Sequence, residues 1–162
     1  MSLVSFPSWS ETLTMDDLVE RNDLYYKKFT NVPFTGEISG IENGSFVKGK
    51  TTGEWLYYTE DDELEYVHNY KDGILDGLSE LYHENGQLWW TGNYKDGKQH
   101  GLWEWYYKNG QVQSRGNYKD GKQHGLWELY NEDGFKITRK YKNGVEVREM
   151  NIFRWLKGEQ VR

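Results

Sequence analysis

The thirteen residues GNYKDGKQHGLWE occur twice without a change, from Gly92 to Glu104 and again from Gly116 to Glu128, a step of 24 residues. A looser copy, NYKDGILDGLSELY, runs from Asn69 to Tyr82, and a still looser one, FVKGKTTGEWLYY, from Phe46 to Tyr58. The register holds through four copies, and a fifth opens at Tyr141 one residue early. A short fixed period means that each unit buries its apolar surface against its neighbours, so the chain is expected to form an array.

Turn dipeptides punctuate that array at Asn43-Gly44, Lys48-Gly49, Asp61-Asp62, Asp72-Gly73, Asn85-Gly86, Asp96-Gly97, Asn109-Gly110, Asp120-Gly121, Asp133-Gly134 and Asn143-Gly144. Asn-Gly and Asp-Gly accept positive φ at both central positions of a type I′ turn, whose twist matches that of flanking antiparallel strands. From Gly49 the spacing alternates between thirteen and eleven residues and ends with a ten, so each unit reads as two strands and two tight turns. Two-residue loops join only adjacent antiparallel strands, and the expected fold is therefore all-β, a meander with strand order equal to chain order.

Alternation along the strands indicates their faces. Val112, Ser114, Gly116 and Tyr118 share one side of the shorter strand, while Gln111, Gln113, Arg115, Asn117 and Lys119 share the other, which reads as solvated. In the longer strand Trp103, Trp105 and Tyr107 lie on one side and Leu102, Glu104 and Tyr106 on the other, so both sides carry rings. The unequal lengths call for a bulge in the longer strand, with Gly53, Gly77, Gly101 and Gly125 as its natural sites. Gly92 and Gly116 offer positions where a neighbouring ring could lie flat across the strand.

The ends depart from the repeat. Residues 1–14 read as a tail or lid, and MDDLVERNDLYYKKFT from Met15 as a hairpin turning at Asn22-Asp23, with a short helix as the alternative. Pro33 forces an extended entry into FTGEISG, a strand with Phe34, Gly36 and Ile38 on one face. The last residues, 150–162, carry Ile152, Trp155 and Leu156 at helical spacing, which favours a short amphipathic cap over a final edge strand. Residues 15–44 then cap the first edge of the sheet and 45–149 form the repeats, within a single domain of 162 residues.

Low hydropathy would suggest disorder, with a mean of -0.96, but the chain holds 8 Trp, 13 Tyr and 6 Phe. Disordered chains are poor in aromatics, so this one folds, and its apolar burial must come mainly from rings. A net charge of -6 without a basic run disfavours nucleic acid and acidic membranes as partners. The absence of cysteine excludes disulfides and thiolate chemistry. The first thirty residues lack a charged head followed by an apolar run, and no stretch is long enough to span a membrane as a helix, so a cytoplasmic location is the expectation.

The unit Y-K-[DN]-G-K-x-x-G-L-W-x-x-Y-x-x-N-G-Q, preceded by VPFTGEISG at Val32 to Gly40, resembles the MORN-repeat variant family, YwqK-type antitoxin-like repeat proteins of bacteria and phages. The resemblance spans roughly Leu18 to Glu149. It implies a single-layer, elongated, twisted antiparallel sheet used as a binding scaffold, with no family catalytic residue to carry over. The chain departs from the pattern at Gly44 to Gly49, where one strand reads as nearly missing, and after Glu149.

His100 and His124 recur beside Gln99 and Gln123, but two strands per repeat set equivalent residues ~10 Å apart, too far for one zinc ion. Glu80, Glu104 and Glu128 recur as regularly; a glycoside-cleaving pair requires ~5–9.5 Å across a cleft, which a flat sheet does not supply. Pairing with Lys98, Lys122 or Arg115 across the strands is the plainer role. Trp89, Trp90, Trp103, Trp105 and Trp127 are expected to stack along one face, and rings on the second face to form a strip for a partner.

The functional expectation is a non-catalytic protein-binding scaffold without cofactor or metal, in an antitoxin, immunity or phage counter-defence setting, or a self-associating one. Trp89, His100, Trp103, Glu104, Trp105, Tyr106, His124, Trp127, Glu128 and Tyr130 are the candidate partner-binding residues. The alternative is a carbohydrate polymer stacked on an exposed aromatic stripe, with Glu104, Glu128 and Gln99 as hydrogen-bonding partners.

Overall fold

The computed structural model describes residues 12–147; the tail expected at the N-terminus lies largely, and the cap expected over 150–162 wholly, outside the described residues. After a 3-10 turn at Met15–Asp17 come β1 (Leu18–Arg21), β2 (Leu24–Lys27), β3 (Gly36–Ile38), β4 (Glu42–Val47), β5 (Lys50–Tyr58), β6 (Leu64–Lys71) and β7 (Ile74–Tyr82). The chain continues through β8 (Leu88–Lys95), β9 (Lys98–Tyr106), β10 (Val112–Lys119), β11 (Lys122–Tyr130), β12 (Lys136–Lys142) and β13 (Val145–Glu146). Strands β3 to β13 form one open antiparallel sheet in chain order, and β1 and β2 form a separate hairpin. The meander is the one the turn spacing requires.

The two turns of each unit differ, which corrects the uniform type I′ expectation. At Lys48-Gly49, Asp72-Gly73, Asp96-Gly97, Asp120-Gly121 and Asn143-Gly144 both residues have positive φ, as in a two-residue type I′ loop. At Asn85-Gly86, Asn109-Gly110 and Asp133-Gly134 only the glycine does. There the loop is longer: the Gly86 amide donates to the His83 carbonyl at 2.8 Å, and the His83 amide to the Gln87 carbonyl at 2.7 Å. This is the type I turn closed by a left-handed residue, and it spaces the strands by five residues instead of two.

Asn43-Gly44 is not a turn at all. Both residues lie inside β4, a six-residue strand paired with β5 along its length, so the strand expected to be nearly missing is present. The same dipeptide serves a different need: a Cβ on Gly44 would lie 2.2 Å from Cδ2 of Trp55. The glycine makes room for a ring.

That arrangement repeats and builds the core. Trp55, Trp103 and Trp127 lie flat over Gly44, Gly92 and Gly116 on the preceding strand, and all three indoles are buried. Each indole N–H donates to a carbonyl of that strand, at Ser45, Asn93 and Asn117, over 3.1 to 3.3 Å. Tyr70, Tyr94, Tyr118 and Tyr141 set their rings edge-on to these indoles, at interplanar angles of 71 to 86°. The bulge glycines face those tyrosines, as in Gly101 opposite Tyr118, and the register shifts beside them, between Gly92 and Asn93 for example. Positive φ at Gly53, Gly77, Gly101 and Gly125 explains why glycine occupies these four bulges.

The N-terminal hairpin turns at Asn22-Asp23 and packs on the ring face of the first strands. Leu18, Ile38, Phe46 and Trp55 form its buried contact with the sheet, flanked by Leu13, Met15, Tyr25 and Phe34. Tyr25 ties it there, its N–H donating to the Gly49 carbonyl and its carbonyl accepting from the Phe34 N–H, both at 2.8 Å, and the Ser39 N–H donates to the Leu13 carbonyl at 2.8 Å. Leu13 is thereby held beside the residue that follows β3, the first strand of the sheet.

Candidate functional site

Residues opposite one another in register share a face of the sheet, and three rows define the surface. The core row is Trp55, His68, Ser79, Gly92, Trp103, Gly116, Trp127, Arg139, crossing β5 to β12. On the same face, one step outward, runs Glu42, Tyr57, Tyr66, Leu81, Trp90, Trp105, Ser114, Leu129, Ile137. The opposite face carries Leu56, Val67, Glu80, Thr91, Glu104, Arg115, Glu128 and Thr138.

The ten residues singled out from the sequence therefore do not form one site. Trp103, Trp105 and Trp127 belong to the ring face, and the first and last of these are core, only 2% and 4% exposed. Trp105 is the accessible one, tilted between Trp103 at 5.7 Å and Trp127 at 5.5 Å. Trp90 stacks on Trp103 at 5.0 Å and completes the ribbon. Trp89 does not join it: its ring points to the other side and stacks on His83 at 5.3 Å.

Glu104, Tyr106, Glu128 and Tyr130 lie on the opposite face in a repeating ladder. Tyr82, Tyr106 and Tyr130 each donate a hydroxyl bond to the glutamate two residues earlier, Glu80, Glu104 and Glu128. Arg115 stands between two of these carboxylates, 2.6 Å from Glu128 and 4.0 Å from Glu104, and Lys136 reaches Glu128 at 2.9 Å. Hydrogen bonds from Lys136, Arg115 and Tyr130 hold the Glu128 carboxyl down at about 2. Burial, and then Glu80, pushes Tyr82 up to about 12. An acid held near 2 does not donate protons at neutral pH, so Glu128 is an ion-pair partner. Of the partners expected, Arg115 is the one found, and Lys136 takes the place of Lys98 or Lys122 because β12 crosses the ladder beside β11.

His100 and His124 occupy the bulge, opposite Asn93 and Asn117. His100 is exposed, whereas Nδ1 of His124 is buried with no hydrogen-bond partner. Among the described residues no group of three or more His, Asp or Glu side chains could hold a metal ion. Nor is any helix among them long and apolar enough to cross a membrane.

Sequence reasoning missed the loop end of the sheet. His83 Nε2 lies 3.2 Å from the Tyr106 carbonyl, and the Tyr107 hydroxyl donates to the Tyr130 carbonyl at 2.7 Å, so successive units are tied by the same bond one repeat apart. Between these loops opens a cleft of about 670 Å³, lined by Tyr82, His83, Trp89, Tyr106, Tyr107 and Gln113 among others. The rings that open two successive long loops, His83 and Tyr107, were the available signal.

An open sheet whose rings interlock one unit at a time is the architecture of a β-repeat scaffold. Three consecutive units, residues 51–72, 75–96 and 99–120, match the MORN repeat variant. Among solved structures the chain is similar to one described as the crystal structure of a GtfA/B complex bound to UDP and GlcNAc, at 18% identity and a TM-score of 0.40, over 80% of this chain and 26% of that one. The chain thus spans about a quarter of that relative's length. Comparison with curated proteins gives no match.

Proposed function

We propose that the protein is a non-catalytic scaffold that binds another protein on the ring face over β8 to β12, in the manner of an antitoxin, immunity or counter-defence factor. One observation carries this reading: the protein already seats a β-segment on that face. The hairpin of β1 and β2 lies across the first strands, with Tyr25 against Phe46 at 5.0 Å and Leu18 in one buried cluster with Phe46 and Trp55. Farther along the same face, Trp105, Tyr118, Trp127, Leu129 and Tyr141 line an open cleft of about 250 Å³. Aromatic side chains on a rigid sheet are the residues that most often anchor protein interfaces.

The test is capture of partners by the full chain, compared with Trp105→Asp and Tyr118→Asp on the ring face and Tyr106→Ala on the other. Loss of a captured protein with the first two and retention with the third supports the reading. A bare monomer by light scattering with nothing captured overturns it. Burial of Trp103 and Trp127 removes both rings on which the carbohydrate alternative rested most, and a glycan array run with the same variants checks what Trp90 and Trp105 retain.

A further inference from the structure

One unit breaks the pattern of the core row. Where β4, β8 and β10 carry Gly44, Gly92 and Gly116 beneath a tryptophan, β6 carries His68. Where β5, β9 and β11 carry Trp55, Trp103 and Trp127, β7 carries Ser79, directly opposite His68. The ring is delivered by the other strand, and the small residue has changed sides with it. An imidazole is smaller than an indole, so the exchange leaves space, and that space is open to solvent as a cleft of about 270 Å³ lined by Tyr57, Tyr66, His68 and Tyr70.

Three of the ring contacts are steep, while Tyr66 and His68 are tilted at 38° with centroids 5.7 Å apart. Tyr57 meets Tyr66 at 86° with centroids 6.3 Å apart, His68 meets Tyr70 at 88° and 6.1 Å, and Tyr57 meets His68 at 65° and 5.7 Å. The Tyr57 and Tyr70 hydroxyls, 3.3 Å apart, close one side. A cation held in the cleft that these four rings line would lie within the ~6 Å reach of cation–π attraction. Glu42 lies opposite Tyr57 in register, behind that ring on the side away from Tyr66 and outside the lining of the cleft. Its charge, after burial and the Tyr70 hydroxyl, helps to push the Tyr57 hydroxyl upward, which is the field a cation would meet there. Burial also lowers the His68 pKa, so at neutral pH the floor of the cleft is an uncharged imidazole. Burial likewise pushes the Glu42 carboxyl up, a penalty that a neighbouring cation relieves.

We propose that Tyr57, Tyr66, His68 and Tyr70 form an aromatic cage for a quaternary or fully methylated ammonium group, with Glu42 behind Tyr57 adding to the negative field. Strong hydration of a primary ammonium opposes entry into such a box, and methylation removes that hydration while keeping the charge. The cage is the place where this chain departs from its own repeat, and such departures are where local regularity is given up for a site.

Calorimetric titration of the full chain with choline tests this, against the neutral isostere in which tert-butyl replaces trimethylammonium. Saturable choline binding, with the isostere at least about tenfold weaker, is the expected result. A trimethyllysine peptide as a third probe distinguishes the source: tighter binding than choline assigns the cage to a methylated protein, and weaker binding to a small molecule. Tyr66→Leu and Glu42→Gln should each weaken choline by about tenfold or more. His68→Gly combined with Ser79→Trp restores the regular unit, so it should fold, by circular dichroism and melting, yet lose choline altogether. Equal binding of the isostere, no saturable choline heat, or undiminished binding by the folded double variant would each overturn the proposal.

Discussion

Trp127 lies so close over Gly116 that a methyl group on the glycine would sit 2.3 Å from Cδ2 of the indole. The same contact recurs between Trp103 and Gly92 at 2.2 Å. A ring wedged between backbone and two edge-on tyrosines has no soft direction in which to retreat. Gly116→Ala should therefore destabilise the sheet by about 1–3 kcal/mol through overpacking. Trp103→Ala should cost about 3–5 kcal/mol, since it empties a buried site. Urea unfolding of both against Trp89→Ala, an exposed ring outside the row, checks this; equal midpoints for all three would show that the row is not the core.

The hairpin of β1 and β2 is expected to be part of the fold and not an appendage, because Leu18 is buried in the same cluster as Phe46 and Trp55. Leu18→Ala should cost about 2–5 kcal/mol. The check is whether unfolding stays a single transition: a variant whose hairpin detaches while the repeats melt as before would separate the two.

Glu128 predicts an acid limb in the stability curve. Its carboxyl is lowered from 4.5 to about 2 by Lys136, Arg115 and Tyr130. A depressed acid stabilises the fold fully above its ordinary value, and that contribution is lost as the pH falls from 4.5 toward about 2. Melting temperature against pH should fall more steeply in this window for the native chain than for Glu128→Gln. The difference should shrink in high salt, because the pairs are partly exposed; parallel curves would mean that the ladder contributes nothing.

Much of this was legible in the chain because glycine and Asp-Gly make direct backbone demands. The 24-residue step, the meander and the bulges at Gly53, Gly77, Gly101 and Gly125 all follow from positions that only positive φ explains. Gly44 misled for the same reason: it serves a ring and not a turn, and a dipeptide does not say which. Asn85-Gly86 and Asp96-Gly97 read alike, yet hydrogen bonds such as Asn85 to the Lys108 carbonyl, one repeat away, belong to the longer loop. Candidate residues were harder. Alternation separates Trp103 from Glu104, but whether a ring is surface or core depends on the small residue across from it, which is set by register. Aligning the units would have exposed His68 and Ser79, since they stand where glycine and tryptophan stand elsewhere.

The exchange at those two positions makes the last prediction. His68→Gly alone sets two small residues side by side and leaves a gap between Trp55 and Gly92 in the row. Ser79→Trp alone brings an indole onto a strand where His68 occupies the floor that Gly92 and Gly116 leave clear. Each single change should cost about 1–3 kcal/mol. The pair should recover most of that loss, because together they rebuild the unit found at Gly92 and Trp103 and also remove Ser79 Oγ, which is buried with no hydrogen-bond partner. The coupling should fall in the range of about 0.5–3 kcal/mol typical of touching residues, opposite in sign to the single effects. A urea double-mutant cycle measures it, and strict additivity of the two substitutions would show that ring and small residue did not change places as a unit.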